Sequence, residues 1–100
     1  MKNRGVTILQ IEHPVRDFDG WKRAFDSDPV GRKVGGVRRH RISRPADDPN
    51  YVIIDLEFDS RLEAEAFLDR LRSLWSRVVE ERLIGEPQVR VLEVAETADS

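Results

Sequence analysis

Two long apolar runs rich in β-branched residues limit the folds open to this chain. The first is VTILQIEH, from Val6 to His13, which Pro14 closes, and the second is YVIIDLEF, from Tyr51 to Phe58. Runs of this length and composition predict strands. The second run alternates, which predicts that one face of its strand is continuously buried. The residues on that face are Val52, Ile54, Leu56 and Phe58.

A helix is predicted after each of these strands. Asp17 is a suitable N-cap for a first short helix, in which Phe18, Trp21 and Phe25 recur at helical spacing. The second helix opens with SRLE, a capping box in which Ser60 caps and Glu63 reaches back. Its apolar stripe consists of Ala64, Phe67, Leu68, Leu71, Leu74, Trp75 and Val78, and Gly85 and Pro87 should end it.

Two arginine-bearing segments complete the pattern. VRRHRIS, residues 37–43, and QVRVLEV, residues 88–94, predict the second and fourth strands. The resulting order, βαββαβ, is that of the ferredoxin-like α+β fold. We predict one domain over residues 1–96, with a four-stranded antiparallel sheet and both helices on one face, and a disordered tail at 97–100. Right-handed crossovers place the first and third strands at the centre of the sheet.

Composition excludes several classes of site. The chain has no cysteine, which excludes a disulfide framework and a thiolate metal site. The two histidines lack a metal-ligand spacing, and no glycine-rich nucleotide fingerprint is present, so we predict neither a metal nor a cofactor. No signal peptide or membrane span is recognisable, which predicts a cytoplasmic protein without a membrane partner.

The segment GVRRHRISRP, residues 36–45, gathers positive charge in a chain of net charge −2. The favoured interpretation is an edge strand, because charge prevents edge-to-edge aggregation. RNA-recognition domains share this element order, but they need aromatic residues on the exposed faces of the first and third strands. Those positions offer only Tyr51, so we predict that the protein does not bind nucleic acid.

The first strand is apolar on both of its faces. Val6 and Ile8 lie on one face and Leu9 and Ile11 on the other, while Ile53 adds to the side opposite the main apolar row of the third strand. A sheet face that helices do not cover should be polar in a monomer. We therefore predict a homodimer in which two sheets pack face to face.

The segment DPNYVIIDLEFDSRLEAEAF, with the preceding GVRRHRISRP, resembles the dimeric α/β-barrel superfamily, which includes antibiotic biosynthesis monooxygenase-like proteins. The residues that carry the resemblance are Gly36, Asp48, Pro49, Phe58, Asp59 and Ser60. The resemblance implies a dimeric barrel and a small cofactor-independent monooxygenase or polyketide cyclase/isomerase that acts on an aromatic or polyketide-like substrate. The alternative is a non-catalytic homodimeric module that binds a small hydrophobic or anionic ligand or has a regulatory role.

The candidate catalytic residues are Asp55, His40 and Tyr51. Asp55 shares its face with Tyr51, and either Arg39 or Arg41 is its expected partner, although a different hairpin register would place His40 or Arg38 opposite it. Asp55 is then either one half of a structural ion pair, or a general base or anchor for a polar substrate group.

The candidate substrate-binding residues are Arg39, Arg41 and Trp21.

The ligand cavity is expected between helices and sheet, or within the barrel. His13 is expected to be exposed at a sheet end, and His40 half-buried. The loop DPVGRKVGG, residues 28–36, is interpreted first as a plain solvated connection; the alternative is a lid over the cavity mouth, whose Arg32 and Lys33 could hold an anion.

Overall fold

The computed structural model describes residues 6–82 and 87–99, and for 78–82 the backbone alone. The elements are β1 (Thr7–Pro14), α1 (Phe18–Asp26), β2 (Arg39–Ser43), β3 (Tyr51–Phe58), α2 (Arg61–Arg82) and β4 (Gln88–Glu93). The predicted βαββαβ order is confirmed. The Val78 side chain, predicted in the apolar stripe, and Gly85, predicted to end α2, lie outside the described part.

The four strands form one antiparallel sheet in the order β2-β3-β1-β4. The two apolar strands are therefore central, as the crossover rule predicts. The arginine-bearing β2 lies at one edge, where its first three residues are exposed. Its charged side chains therefore lie at an unpaired strand edge, where charge hinders edge-to-edge aggregation.

The hydrophobic core lies between the helices and one face of this sheet. Leu9 and Ile11 of β1 are buried there beside the predicted alternating row of β3. Phe58 at the end of that row packs against Phe67 of α2, with ring centroids 5.5 Å apart. Burying one aromatic side chain of this kind stabilises the fold by about 1.5–3 kcal/mol.

Both helices begin where capping predicts. The carboxylate of Asp17 accepts a hydrogen bond from the backbone N–H of Gly20 at 2.8 Å, and the Ser60 hydroxyl accepts one from the N–H of Glu63 at 3.2 Å. The Glu63 carboxylate lies against Gly36, whose φ of 101° is a conformation that favours glycine. Only the Ser60 half of the predicted capping box is therefore formed.

No helix in the described ranges is long and apolar enough to cross a membrane. The helices that are present instead bury one side against the sheet: Trp21 from α1, and Ala64, Phe67 and Leu68 from α2. The two helices do not fill all of the space above the sheet, and the candidate site lies in the space that remains.

Candidate functional site

A cavity of about 330 Å³ lies between the helices and the sheet. Strands β1 and β3 form its floor with Ile11, His13, Ile54 and Leu56, and the helices and the loop after α1 form its walls. Its size falls at the small end of the range for ligand pockets, which are mostly apolar with a few polar groups. The location is one of the two that the sequence left open, since the cavity is between helices and sheet.

Aromatic side chains dominate the walls of this cavity. Trp21 and Phe25 of α1 stack with ring centroids 5.2 Å apart, and Phe67 and Trp75 of α2 complete the aromatic lining. Helical spacing brings the α1 pair to one face of its helix. Trp21, predicted as a substrate-binding residue, does line a cavity.

His13 is the one histidine in the cavity wall, and the prediction that it is exposed is wrong: its exposed fraction is 2%. His13 lies inside the predicted strand and continues the alternation that buries Leu9 and Ile11, so its side chain points to the helix side of the sheet. The ring meets Trp21 edge-on, with centroids 6.1 Å apart.

The imidazole of His13 is held neutral near pH 7. Burial lowers its pKa below 6.5, against a smaller raising effect from the Pro14 carbonyl. Nδ1 lies 3.0 Å from that carbonyl oxygen. A neutral ring that donates from Nδ1 keeps a free lone pair on Nε2, so His13 can accept a proton from a bound molecule.

Asp28 and Arg32 of the loop after α1 close one end of the cavity. The Arg32 guanidinium lies 3.9 Å over the centroid of Phe25, and its Nη1 donates to the Phe25 carbonyl at 2.7 Å. The Asp28 carboxylate accepts from the Arg32 backbone N–H at 2.9 Å. These contacts make the loop an ordered wall of the cavity.

Gly35 anchors the far end of the same loop to α2. A Cβ atom at this position would lie 2.6 Å from the ring of Phe67, so only glycine allows the approach. The loop, for which a lid is the alternative to a plain connection, thus packs against α1 at one end and α2 at the other, and Arg32 lines the cavity from it.

A second, shallower cleft of about 390 Å³ adjoins the cavity, and we call it the basic cleft. Its lining residues are Asp28, Arg32, Lys33, Val37, Arg38, Arg39 and His40. Asp28 and Arg32 line both spaces and so form the boundary between them. Positive charge therefore surrounds one end of an apolar cavity.

His40 lies on the helix side of β2, where it is opposite Leu56 of β3. Its ring meets Phe25 edge-on at 5.2 Å, but the residue is exposed, so the expectation of a half-buried side chain is wrong. Burial of the ring, then the charges of Arg32 and Lys22, lower its pKa, and Asp26 and Asp28 partly oppose them.

The other candidate residues lie on the opposite face of the sheet, which no helix of the described residues covers. Asp55 pairs across the hairpin with Arg41, the register that the sequence left open, and the alternatives with His40 or Arg38 opposite it are wrong. Its hydrogen bond, however, comes from Gln10 of β1, whose Nε2 lies 3.1 Å from Oδ1. Asp55 therefore forms no ion pair with Arg41 or Arg39 within the described residues.

Tyr51 and Arg39 also have partners on this uncovered face. The Tyr51 hydroxyl donates to the Glu12 carboxylate at 2.8 Å, which raises the pKa of Tyr51. Arg39 Nε lies 3.0 Å from a carboxylate oxygen of Glu57, directly opposite it. The structure thus divides the six candidates: Trp21 and His40 are on the helix side, and Asp55, Tyr51, Arg39 and Arg41 are on the other.

Nowhere in residues 6–82 and 87–99 do three metal-ligating side chains cluster.

The burial of His13, which is predicted wrongly from the sequence, could have been recognised from the alternation of the first strand. His13 continues the period-two series that begins at Leu9 and Ile11.

The fold is that of the dimeric ferredoxin-like and antibiotic biosynthesis monooxygenase-like proteins. The chain is similar to a candidate antibiotic biosynthesis monooxygenase from Nitrosomonas europaea: identity is 15%, with 95% of this chain and 96% of that chain covered and a TM-score of 0.71. It is also similar to SnoaB, a cofactor-independent oxygenase from Streptomyces nogalater, at 14% identity with 98% and 100% covered and a TM-score of 0.67.

A third similar structure is a dimeric ferredoxin-like protein from an uncultured marine organism. It is 14% identical, with 96% of this chain and 100% of that chain covered, and its TM-score is 0.67. No family model matches the sequence, and no curated protein matches it. The resemblance to the dimeric α/β-barrel superfamily is therefore confirmed at the level of the fold.

Proposed function

We propose that this protein is a homodimeric, cofactor-independent oxygenase that takes an aromatic or polyketide-like substrate into the cavity between helices and sheet. The observation that carries the proposal is an apolar, aromatic-walled cavity with a single buried, neutral histidine, His13, in its lining. Flat aromatic walls suit a flat substrate, since offset-stacked and edge-to-face contacts both stabilise ring pairs. The fold shared with a protein described as a cofactor-independent oxygenase supports the same class.

The chemistry needs a base and a substrate that can reduce oxygen once it is deprotonated. His13 removes a proton from an acidic CH₂ group of the substrate, and the resulting carbanion gives one electron to O₂. The two radicals combine to a peroxide, which takes the proton back from His13. Loss of water then converts CH₂ to C=O, so that one O₂ yields one carbonyl oxygen and one water. The apolar lining of the cavity favours the delocalised carbanion and limits its contact with bulk water.

Oxygen uptake with anthrone, a three-ring compound with an acidic CH₂ group, tests this proposal. We expect uptake without any added cofactor, and a loss of about 100-fold or more in His13→Gln, the usual size of a general-base contribution. Anthrone should still quench the tryptophan fluorescence of the variant, because Trp21 and Trp75 line the cavity.

Arg44→Gln is a matched control, because Arg44 lies over the ring of Phe18 and lines neither space. It should keep the full rate. Binding without oxygen uptake by the unaltered protein would instead favour the non-catalytic ligand-binding module, and the absence of both would overturn the cavity as a site.

The homodimer is proposed through the sheet face that neither α1 nor α2 covers. Ile8 and Ile53 lie half-buried on this face, and the side chain of Leu92 is exposed beside Ile8. Arg41 and Arg90 form no ion pair within the described residues. A second copy related by two-fold symmetry packs this face against the same face of its partner, so that each contact between two different residues occurs twice.

In that arrangement Asp55, Tyr51, Arg39 and Arg41 set the register of the contact between sheets. We therefore assign them to assembly and assign the proton transfer to His13. Sedimentation over a concentration series is expected to show a dimer, in line with a similar protein that is described as dimeric. A protein that sediments only as a monomer would contradict this assignment.

A further inference from the structure

The apolar cavity and the basic cleft share a boundary. This arrangement indicates the chemical class of a ligand that could bind there. A molecule that fills the cavity meets Asp28 and Arg32 where the two spaces meet. Beyond that boundary lie Lys33 and His40. An elongated ligand could place an apolar ring in the cavity and an anionic end at the basic cleft.

Arg32 is positioned to bind such an anionic end. Its side chain is only 20% exposed, and the ring of Phe25 and the Phe25 carbonyl hold its guanidinium in place. Only Nη1 has a hydrogen-bond partner among the described residues, so the donors on Nε and Nη2 remain for a ligand. A planar guanidinium with two adjacent donors matches a carboxylate in a bidentate geometry.

Two other arginines of the basic cleft already have partners. Arg38 pairs with Asp59, and Arg39 pairs with Glu57 at 3.0 Å. Lys33 is exposed and forms no ion pair within the described residues. The positive charge that is available at the boundary therefore comes from Arg32 and Lys33.

Among the described residues Asp28 is the one carboxylate that lines the cleft, and its role there is structural. It has a φ of 55°, a conformation that aspartate and asparagine tolerate better than most residues. Its carboxylate holds the Arg32 backbone N–H at 2.9 Å and lies 3.4 Å from Nη1. It thus fixes the loop while neutralising part of the Arg32 charge.

The surroundings of His40 are consistent with a net positive field. The nearby cations Arg32 and Lys22 lower its pKa after the effect of burial, and the opposing effects of Asp26 and Asp28 are smaller. A carboxylate placed at the boundary would sit in that field.

We propose that the ligand is an aromatic acid, whose ring occupies the cavity and whose carboxylate binds Arg32, with Lys33 nearby, at the boundary with the basic cleft. This inference rests on the proposed function only in taking the cavity as the ligand site. It adds the charge of the substrate and names Arg32 as the residue that selects it.

A matched pair of probes tests the inference on the full chain: 2-naphthoate, which carries a carboxylate, and its methyl ester, which has the same rings without the charge. Calorimetric titration should show the acid binding about tenfold or more tightly than the ester, as expected for hydrogen bonds to a charged group. The preference should shrink as salt is added, because part of it is electrostatic.

Substitutions then locate the preference. Arg32→Gln should bring the two affinities close to equal by weakening the acid alone. Arg44→Gln removes a comparable cation–ring contact, 4.1 Å over Phe18 on the same helix, and should keep the full preference. Asp28→Asn keeps an oxygen for the Arg32 N–H but removes a negative charge, so it should tighten the acid and leave the ester unchanged.

Each contrary result is decisive. If the unaltered protein binds acid and ester equally, the inference fails while the cavity stands as a ligand site. If neither probe binds, the cavity itself fails, and the proposed function with it. If Asp28→Asn weakens the acid as Arg32→Gln does, loop conformation rather than charge controls binding, and the role of Arg32 as the selecting residue is overturned.

Discussion

The two faces of the sheet differ in what covers them, although the same strands build both. On the helix side, β1 and β3 present apolar residues and one buried histidine, and the helices leave about 330 Å³ unfilled above them. On the other side the same strands present polar side chains that are hydrogen-bonded to each other: Gln10 with Asp55, and Tyr51 with Glu12. One face therefore carries the proposed ligand cavity, and the other is the face through which we propose that two copies pack.

This contrast changes how charged residues in a small fold should be interpreted. Asp55 attracts attention in the sequence because a carboxylate interrupts an apolar strand, whereas His13 looks like a strand terminus. In the structure Asp55 accepts a hydrogen bond from a neighbouring amide, and His13 is a buried titratable group in the floor of the cavity. A side chain's face therefore matters more for function than its contrast with its sequence neighbours.

The largest expected effect compares two adjacent isoleucines of β3. Ile54 is 4% exposed on the helix side, and Ile53 is half-buried on the other. Ile54→Ala should lower the free energy of unfolding by about 2–5 kcal/mol, the usual loss for a buried branched residue. Ile53→Ala should cost clearly less, about 1 kcal/mol, in the dissociated protomer.

Urea denaturation over a range of protein concentrations measures this pair. If two copies pack through the uncovered face, the cost of Ile53→Ala should grow with protein concentration, because the dimer then contributes to stability. The cost of Ile54→Ala should not depend on concentration in that way. Equal, concentration-independent losses in both variants would remove the distinction between the faces.

Most of this fold is predictable because it depends on local alternation. The apolar row of β3 and the capping residues Asp17 and Ser60 each specify one element, and crossover handedness then fixes the strand order. The partner of Asp55 is not predictable in this way. A central strand has neighbours on both sides, and Gln10 comes from β1 rather than from the hairpin partner β2.

The cavity lies beyond the reach of sequence patterns for a different reason. Its residues, among them Trp21, Phe25 and Trp75, follow the helical spacing typical of packing residues. Whether such residues meet or leave a gap depends on how the two helices sit on the sheet. The boundary role of Arg32 follows from the same placement, because the Phe25 ring that holds its guanidinium belongs to α1.

The second prediction concerns His13 and pH. Burial lowers the folded-state pKa of His13 below its unfolded value of 6.5, so between those two values the unfolded chain binds more protons. The free energy of unfolding should therefore rise with pH through this window, by at most about 1.4 kcal/mol per pH unit from this residue, and level off above 6.5.

His13→Phe keeps a ring in the wall and should flatten that slope in urea denaturation below pH 6.5. A smaller slope of the same sign should remain from His40, whose pKa is also lowered but whose side chain is exposed. An unchanged slope in His13→Phe would mean that its ring is not held neutral by burial.

The smallest expected effect belongs to Asp55→Asn, and it tests whether the two faces are separate. An asparagine oxygen can still accept from Gln10, so the free energy of unfolding should change by less than about 1.5 kcal/mol, within the usual range for a hydrogen bond. The affinity of the cavity for 2-naphthoate should not change, because Asp55 faces the other side of the sheet. Sedimentation should show any change in the dimer instead. A loss of naphthoate binding with the fold intact would place Asp55 in the ligand site after all, and the division of labour between the two faces would then be wrong.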